Sequence, residues 1–242
     1  MRTNLPLPRS ALWATVGGVA SISRLSQGPA SAPMAFISDL HGNLPALNAV
    51  LAELHRRAIT DIFVAGDLLL GGEQPLEVWQ RLQELHAHCV RGPSDLALAA
   101  VDPKRLKPAT SEEQSMAEHF AQTRRMLGEL VLRRLSDLPE RMRLPMIDGR
   151  ELLLVHGSPA DPSEGIGHEL EDDEIRVLLA DETADMVVCG ATHVPFIRTI
   201  DDIQVINVGS VGQAPGKERI AHYTVISPKV GGATVEQNWA EY

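Results

Sequence analysis

The apolar positions of this chain follow two registers that alternate. Short apolar runs at 34–38, 61–65 and 88–90 have the look of strands, and the stretches between them, 44–58 and 75–85, carry Leu and Val at helical spacing, as at Leu47, Val50, Leu51 and Leu54. Runs without polar interruption mark strands buried on both faces. Strands alternating with helices predict βαβ units and a sheet covered on both sides. A long polar helical region then spans about 111–135, between Pro103 and Pro108 on one side and Pro139 and Pro145 on the other. It is expected to form a cap or side insertion, which we bound at about 102–145. Beyond it, 151–155 reads as a strand, 172–179 as a helix and 185–189 as another strand. The segment 195–237 reads as β-rich, with turns at Asp201 and Asp202, Pro215 and Gly216, and Gly231 and Gly232.

Residues 1–33 break this regularity. They are rich in Ser, Ala, Gly and Pro, lack acidic residues, and hold one weak apolar patch over 11–22. Arg2 and Arg9 before the patch, with Ala30, Ser31 and Ala32 after it, have the outline of a secretory signal. Gly17 and Gly18 within the patch, Arg24 behind it and Pro33 after the candidate cut argue against that reading. We expect an appended N-terminal extension, with Met34 an alternative start, followed by one domain over 34–242 and a cytoplasmic location.

Composition narrows the function classes. The 242 residues include 22 Lys and Arg against 32 Asp and Glu, a formal net charge of −10, with 44% hydrophobic and 22% charged residues. That is a soluble globular composition. The acidic balance disfavours general nucleic-acid binding by phosphate attraction, though bound cations can reverse the field at a phosphate-handling site. No run reaches the ~20 apolar residues of a membrane span. Two cysteines, Cys89 and Cys189, are too few for a disulfide framework and read as buried free thiols.

The candidate chemistry gathers where strands end. Asp39 and His41 follow the first run, Asp67 follows the second, and Arg91, Ser94 and Asp95 follow the third; His156 closes 151–155, and His193 follows 185–189. Loops at the carboxyl ends of parallel strands meet at one crevice. Any one of these residues alone reads as a helix cap, a turn or a packed histidine, so the inference rests on their recurrence in this order. Mixed imidazole and carboxylate ligands suit Mn, Fe or Zn and metal-assisted hydrolysis. The acidic run at 171–174 reads as a solvated helix start, and His168 as a weak candidate for substrate contact. Asn207 and Ser210 are expected to support the site through hydrogen bonds.

Asp-x-His, Gly-Asp, Arg-Gly-x-x-Asp, Val-His-Gly and Gly-x-Thr-His, taken together, resemble the calcineurin-like metallophosphoesterases, and in particular a small bacterial branch with Ser-Asp-x-His-Gly-Asn, His-Gly-Ser-Pro and Asn-x-Gly-Ser stretches. The resemblance spans about 34–223. It implies an α/β fold, a four-layer α/β/β/α sandwich, with metals at its upper edge and hydrolysis of phosphate monoesters or diesters by a metal-bound hydroxide. It implies Asp39, His41, Asp67 and His193 as ligands of a first metal, Asp67 as the bridging carboxylate, His156 on a second metal and Arg91 on the substrate phosphate, a role its planar fork suits. The implied cofactor is a divalent transition metal, and the implied partner is a small phosphorylated substrate or a phosphoprotein.

Two positions depart from the family pattern. Pro93 stands where an Asn donates a side-chain oxygen to the second metal, and Ala191 where a His donates a nitrogen. Ser94 stands where protein-phosphatase relatives carry a catalytic His, which leaves His156 as the candidate general acid. The expectation is one tight metal site, a weakened second site and a working phosphoesterase. The alternative is a degenerate relative that binds a phosphorylated ligand or a metal without turnover.

Overall fold

A computed structural model describes residues 22–24, 28–216 and 219–242. Its strands are β1 (Ile22–Arg24), β2 (Met34–Ile37), β3 (Asp61–Val64), β4 (His88–Cys89), β5 (Arg141–Pro145), β6 (Glu151–Val155), β7 (Met186–Cys189), β8 (Phe196–Ile200), β9 (Ile203–Asn207), β10 (Ile220–Lys229) and β11 (Gly232–Glu241). Its α-helices are α1 (Leu44–Arg56), α2 (Pro75–Glu84), α3 (Pro93–Ala100), α4 (Ser111–Ser136) and α5 (Asp172–Leu179). The strands form a six-stranded sheet in the order β1-β5-β6-β7-β9-β8 and a five-stranded sheet in the order β11-β10-β2-β3-β4.

Strand periodicity explains how two sheets yield three cores. Successive side chains of a strand point to opposite faces. In β2, Met34 and Phe36 join the core between the sheets, while Ala35 and Ile37 face the helices. In β6, Leu152 and Leu154 enter the inter-sheet core, while Leu153 and Val155 pack toward α5; β7 divides in the same way, with Met186 and Val188 inward and Val187 and Cys189 outward. These strands are apolar on both faces because both faces are covered. The result is the four-layer α/β/β/α sandwich that the family resemblance implies. Phe36 and Phe63, register partners on neighbouring strands β2 and β3, stack side by side on the inner face of one sheet with ring centroids 5.1 Å apart.

The helical insertion is a side layer. Phe120, Leu127, Val131, Leu132 and Leu135 of α4 share a core with α1, α2 and the helix-facing side of β2 and β3. Gly128, at φ 69°, breaks the helical conformation within α4, a left-handed backbone that glycine adopts without steric penalty. The expected insertion boundary at 145 needs correction, because 141–145 is strand β5. There Met142 and Leu144, alternating with Arg141 and Arg143, point into the inter-sheet core, a period of two that the neighbouring prolines and helix obscure.

The N-terminal extension is also partly built in. β1 pairs in parallel with β5, and Ala30 bridges Met146. Residues 11–21 of the apolar patch lie outside the described residues. Cys89 and Cys189 are buried and free, as expected. Among the described residues no helix is long and apolar enough to cross a membrane.

The sheet pairing aligns the strands that matter for function. β2, β3 and β4 run parallel to one another in one sheet, and β6, β7 and β9 in the other. Phe36→Ala removes a fully buried ring that packs between the sheets, so a loss of about 3–5 kcal/mol of unfolding free energy is expected in denaturant titration. A loss below about 1 kcal/mol would contradict this picture of the inter-sheet core.

Candidate metal centre

Each of these six parallel strands ends in a loop that supplies a polar group to one place. Asp39 and His41 follow β2, Asp67 follows β3, Ser94 and Asp95 open α3 behind β4, His156 follows β6, His193 follows β7, and Ser210 follows β9. Backbone hydrogen bonds knit the first two loops together: Asp39 N donates to Gly66 O at 3.0 Å and His41 N to Asp67 O at 3.0 Å. The other sheet does the same, with Gly190 N donating to His156 O at 2.8 Å.

The backbone of these loops is unusual. Asp39, His41, Asp67 and His193 lie at φ values of 55°, 48°, 53° and 64°. A non-glycine residue there costs about 1–3 kcal/mol and persists only where its surroundings hold it. Every candidate ligand except His156 therefore sits in a left-handed conformation. Gly190 completes the fit by lacking a side chain, since a Cβ would strike Ser38 Oγ and come within 2.5 Å of Asp39 Oδ2.

The side chains converge as two groups that share Asp39. Asp39, His41 and His193 offer ligand atoms within 4.8 Å of one another, and so do Asp39, Asp67 and His156. His193 Nε2 lies 3.1 Å from Asp39 Oδ1, His41 Nε2 lies 3.7 Å from it, and His156 Nε2 lies 4.0 Å from it. His156 Nε2 also lies 3.7 Å from Asp67 Oδ2. Asp39 belongs to both groups, and Asp67 lies beside His156 and contributes to the charge field of His41.

Hydrogen bonds fix the tautomers. His41 Nδ1 is 2.8 Å from Leu70 O, and His156 Nδ1 is 2.7 Å from Ala65 O. A carbonyl only accepts, so both Nδ1 atoms carry hydrogen and both Nε2 atoms face the centre. There His41 Nε2 meets His193 Nε2 at 3.3 Å. Two imidazole nitrogens and a carboxylate oxygen that all point at one another need a cation, or protons in its place.

The electrostatics agree. Burial alone would raise the Asp39 carboxyl, but His156 and the hydrogen bonds from His193 and His41 hold it well below the usual carboxylate range. Burial lowers His41, yet its hydrogen bond to Asp39 and the charges of Asp67 and Asp39 prevail and raise it to about 9. His156 is likewise raised against its burial, by Asp67 and Asp39. The donor set thus fits a divalent ion: nitrogen and oxygen ligands in an anionic field, with Asp39, His41 and His156 buried, His41 and His156 oriented from behind, and His193 partly exposed.

Other residues expected at the site take different parts. Arg91 is drawn to the junction of α4 and β5: Nη1 donates to Ser136 O at 2.8 Å, Nη2 lies 3.5 Å from Glu140 Oε1, and its backbone N donates to Pro139 O. Pro93 opens α3 and offers no donor, and Ala191 contributes only a backbone N–H, to Asp39 Oδ2 at 3.0 Å. Ser94 N donates to Asp67 Oδ1 at 3.0 Å. His168 is exposed and pairs with Glu169, and the 171–174 acidic run opens α5 on the surface.

Asp95 has a part that its motif alone did not reveal. It is buried, with Oδ1 accepting from Leu68 N at 3.0 Å and Oδ2 from Gly92 N at 2.9 Å, so one carboxyl clamps the Asp67 loop to the start of α3. Its position three residues after Gly92, as in a capping box, is the sequence signal for that role. Burial, with the neighbouring Asp67, raises its pKa to about 7.

A sequence profile described as the calcineurin-like phosphoesterase superfamily domain matches residues 33–229. The chain belongs to that superfamily. An uncharacterized protein of Methanocaldococcus jannaschii is 27% identical over 213 residues, covering 81% of this chain and 83% of its own. Among solved structures, a metallophosphoesterase from Sphaerobacter thermophilus is 26% identical with a TM-score of 0.69, over 88% of this chain and 89% of that one. A hypothetical protein from Pyrococcus horikoshii shares the fold, at 22% identity and a TM-score of 0.73 over 87% and 88%. The superfamily is one of phosphoesterases that use divalent metals, and the residues around Asp39 are candidate ligands for such an ion.

The raised pKa of His41 has a pH consequence for the metal-free protein. A histidine raised from 6.5 to about 9 on folding stabilises fully below pH 6.5 and loses that contribution as pH climbs to about 9. Unfolding free energy of the chelated protein should therefore fall across that window, and the slope should shrink in His41→Ala. An unchanged slope in the variant would overturn the assignment of that proton to His41.

Proposed function

We propose that this phosphoesterase-superfamily protein hydrolyses a phosphate monoester or diester, with one divalent transition ion (Mn, Fe or Zn) held tightly by Asp39, His41 and His193. The observation that carries this reading is the approach of His41 Nε2 and His193 Nε2 to 3.3 Å beside Asp39 Oδ1. That cluster is costly without a cation and favourable with one. When bound, such an ion polarises a phosphoryl oxygen and lowers the pKa of a coordinated water.

The chain's own residues supply the rest. Asp39 sets the position of the cluster and lends it negative charge, while Leu70 O and Ala65 O orient the two imidazoles that point inward. Asp67, held by Ser94 N, stands beside His156 and keeps a proton on that ring favourable. His156 Nε2 is thereby suited to give a proton to the leaving oxygen, or to complete a weak second site with Asp39 and Asp67. Arg91 meets the charge on the phosphoryl oxygens only if its guanidinium leaves Ser136 and Glu140. The substrate class is a small phosphorylated compound or a phosphoprotein, and the site of action is the cytoplasm, a reading supported by the two free cysteines.

A second reading is a relative that binds a phosphorylated ligand or an ion without turnover. It is favoured by Pro93 and Ala191, which bring no side-chain ligand to the Asp67 and His156 side, and by the engagement of Arg91 with Glu140. The two readings separate by assay of the purified chain on an aryl phosphodiester and an aryl phosphate, with and without added Mn²⁺. Metal-dependent turnover of either compound is expected; binding of about one Mn²⁺ per chain without turnover of either would establish the second reading instead. In an active protein, His156→Ala should lower kcat by about 10²–10⁴ while Mn²⁺ still binds at Asp39, His41 and His193. An unchanged kcat would remove His156 from the chemistry.

A further inference from the structure

Asn207 closes β9 beside Cys189 at the end of β7, and its side chain is fully buried at the meeting of three loops. Nδ2 donates to Gly190 O at 2.7 Å and to Thr192 Oγ1 at 2.9 Å, both in the loop that carries His193. It also donates to Ile166 O at 3.1 Å, in the loop that follows His156. Three acceptors for two hydrogens means that one N–H is shared. On its other side, Oδ1 accepts from Gly209 N at 3.0 Å.

The bond from Gly209 reaches a third ligand loop, that of Asp39 and His41. Gly209 begins the turn whose next residues grip the backbone of Asp39: Ser210 Oγ donates to Asp39 O at 2.9 Å, Gly212 N donates to Asp39 O at 2.9 Å, and Val211 N donates to Ser38 O at 3.0 Å. One buried amide therefore ties together the loops of His193, His156 and Asp39, which belong to two different sheets. Asp39 and His193 stand at positive φ, so neither loop holds its ligand there by local preference.

We propose that Asn207 is the positioning residue of this centre, setting the relative placement of Asp39 and His193 and so the affinity of the protein for its ion, without touching the ion itself. This rests on the metal-centre reading above. A carboxamide is the group this position requires, because Nδ2 must donate to two carbonyls while Oδ1 must accept. An aspartate of the same shape would set oxygen against oxygen at Gly190 and Ile166.

The decisive experiment is calorimetric titration of Mn²⁺ into the full chain, freed of metal beforehand, for wild type, Asn207→Ala, Asn207→Asp, Thr192→Val and Val205→Ala. Both Asn207 variants are expected to bind as many ions as wild type but roughly 10–100-fold more weakly, with Asp no better than Ala. Thr192→Val, which removes one acceptor on the His193 loop, is expected to bind several-fold more weakly and carries the test if the Asn207 variants do not fold. Val205→Ala opens a cavity in the same strand away from these loops and is expected to bind as wild type does. Wild-type affinity in an Asn207 variant that folds, or in Thr192→Val where neither does, overturns the proposal, and so does an equal loss in Val205→Ala. A wild-type chain that takes up no Mn²⁺ overturns the metal-centre reading itself.

Discussion

Asp39 is a fully buried carboxylate whose charge is met by three imidazoles, and most of the functional architecture follows from keeping that arrangement intact. Burying a carboxylate is expensive unless it is paired and hydrogen-bonded. Here the pairing comes from His41, on its own loop, and from His156 and His193, on loops of the other sheet. The centre can exist only where the two sheets bring their carboxyl edges together. The inter-sheet core around Phe36, Phe63 and Leu154 is thus a functional element as well as a stabilising one: it sets the separation across which Asp39 faces its histidines.

The backbone carries part of the cost. Four ligand candidates occupy left-handed conformations, and cross-loop bonds such as His41 N to Asp67 O and Ala191 N to Asp39 Oδ2 hold them there. Without an ion, protons take over the cation's role, which is why His41 is raised so far. With an ion those protons are displaced, so uptake should be accompanied by proton release. Left-handed backbone and a buried carboxylate are offset here by the raised imidazoles that pair with it.

Much of this was legible in the sequence because the chemistry sits at strand ends, and strand ends are marked by apolar runs that stop at Asp, His or Gly. The order Asp39, His41, Asp67, His156, His193 places all five residues that meet in the structure. The runs apolar on both faces made covered sheets legible, while the count of four layers came from the family resemblance. Strand β5 was hidden because its five residues lie between Pro139 and the turn after Pro145, next to a long helix that dominates the local pattern. The environment of Arg91 was hidden because Ser136 and Glu140 belong to another element, and no local spacing shows which partner claims a guanidinium. The sequence marks Asn207 as a supporting residue, but not as the joint of three loops.

Pro93 and Ala191 bring no side-chain donor to the centre, whereas Asp39, His41 and His193 converge on one point, with Asp39 and His41 buried and His41 Nδ1 held by Leu70 O. The most direct test is anomalous diffraction from crystals of the full chain grown with Mn²⁺. A strong peak is predicted within coordinating distance of Asp39 Oδ1, His41 Nε2 and His193 Nε2, with weaker density or none between Asp67 and His156. A peak at Asp67 and His156 alone, or no peak among these five residues, would contradict a tight ion at Asp39, His41 and His193.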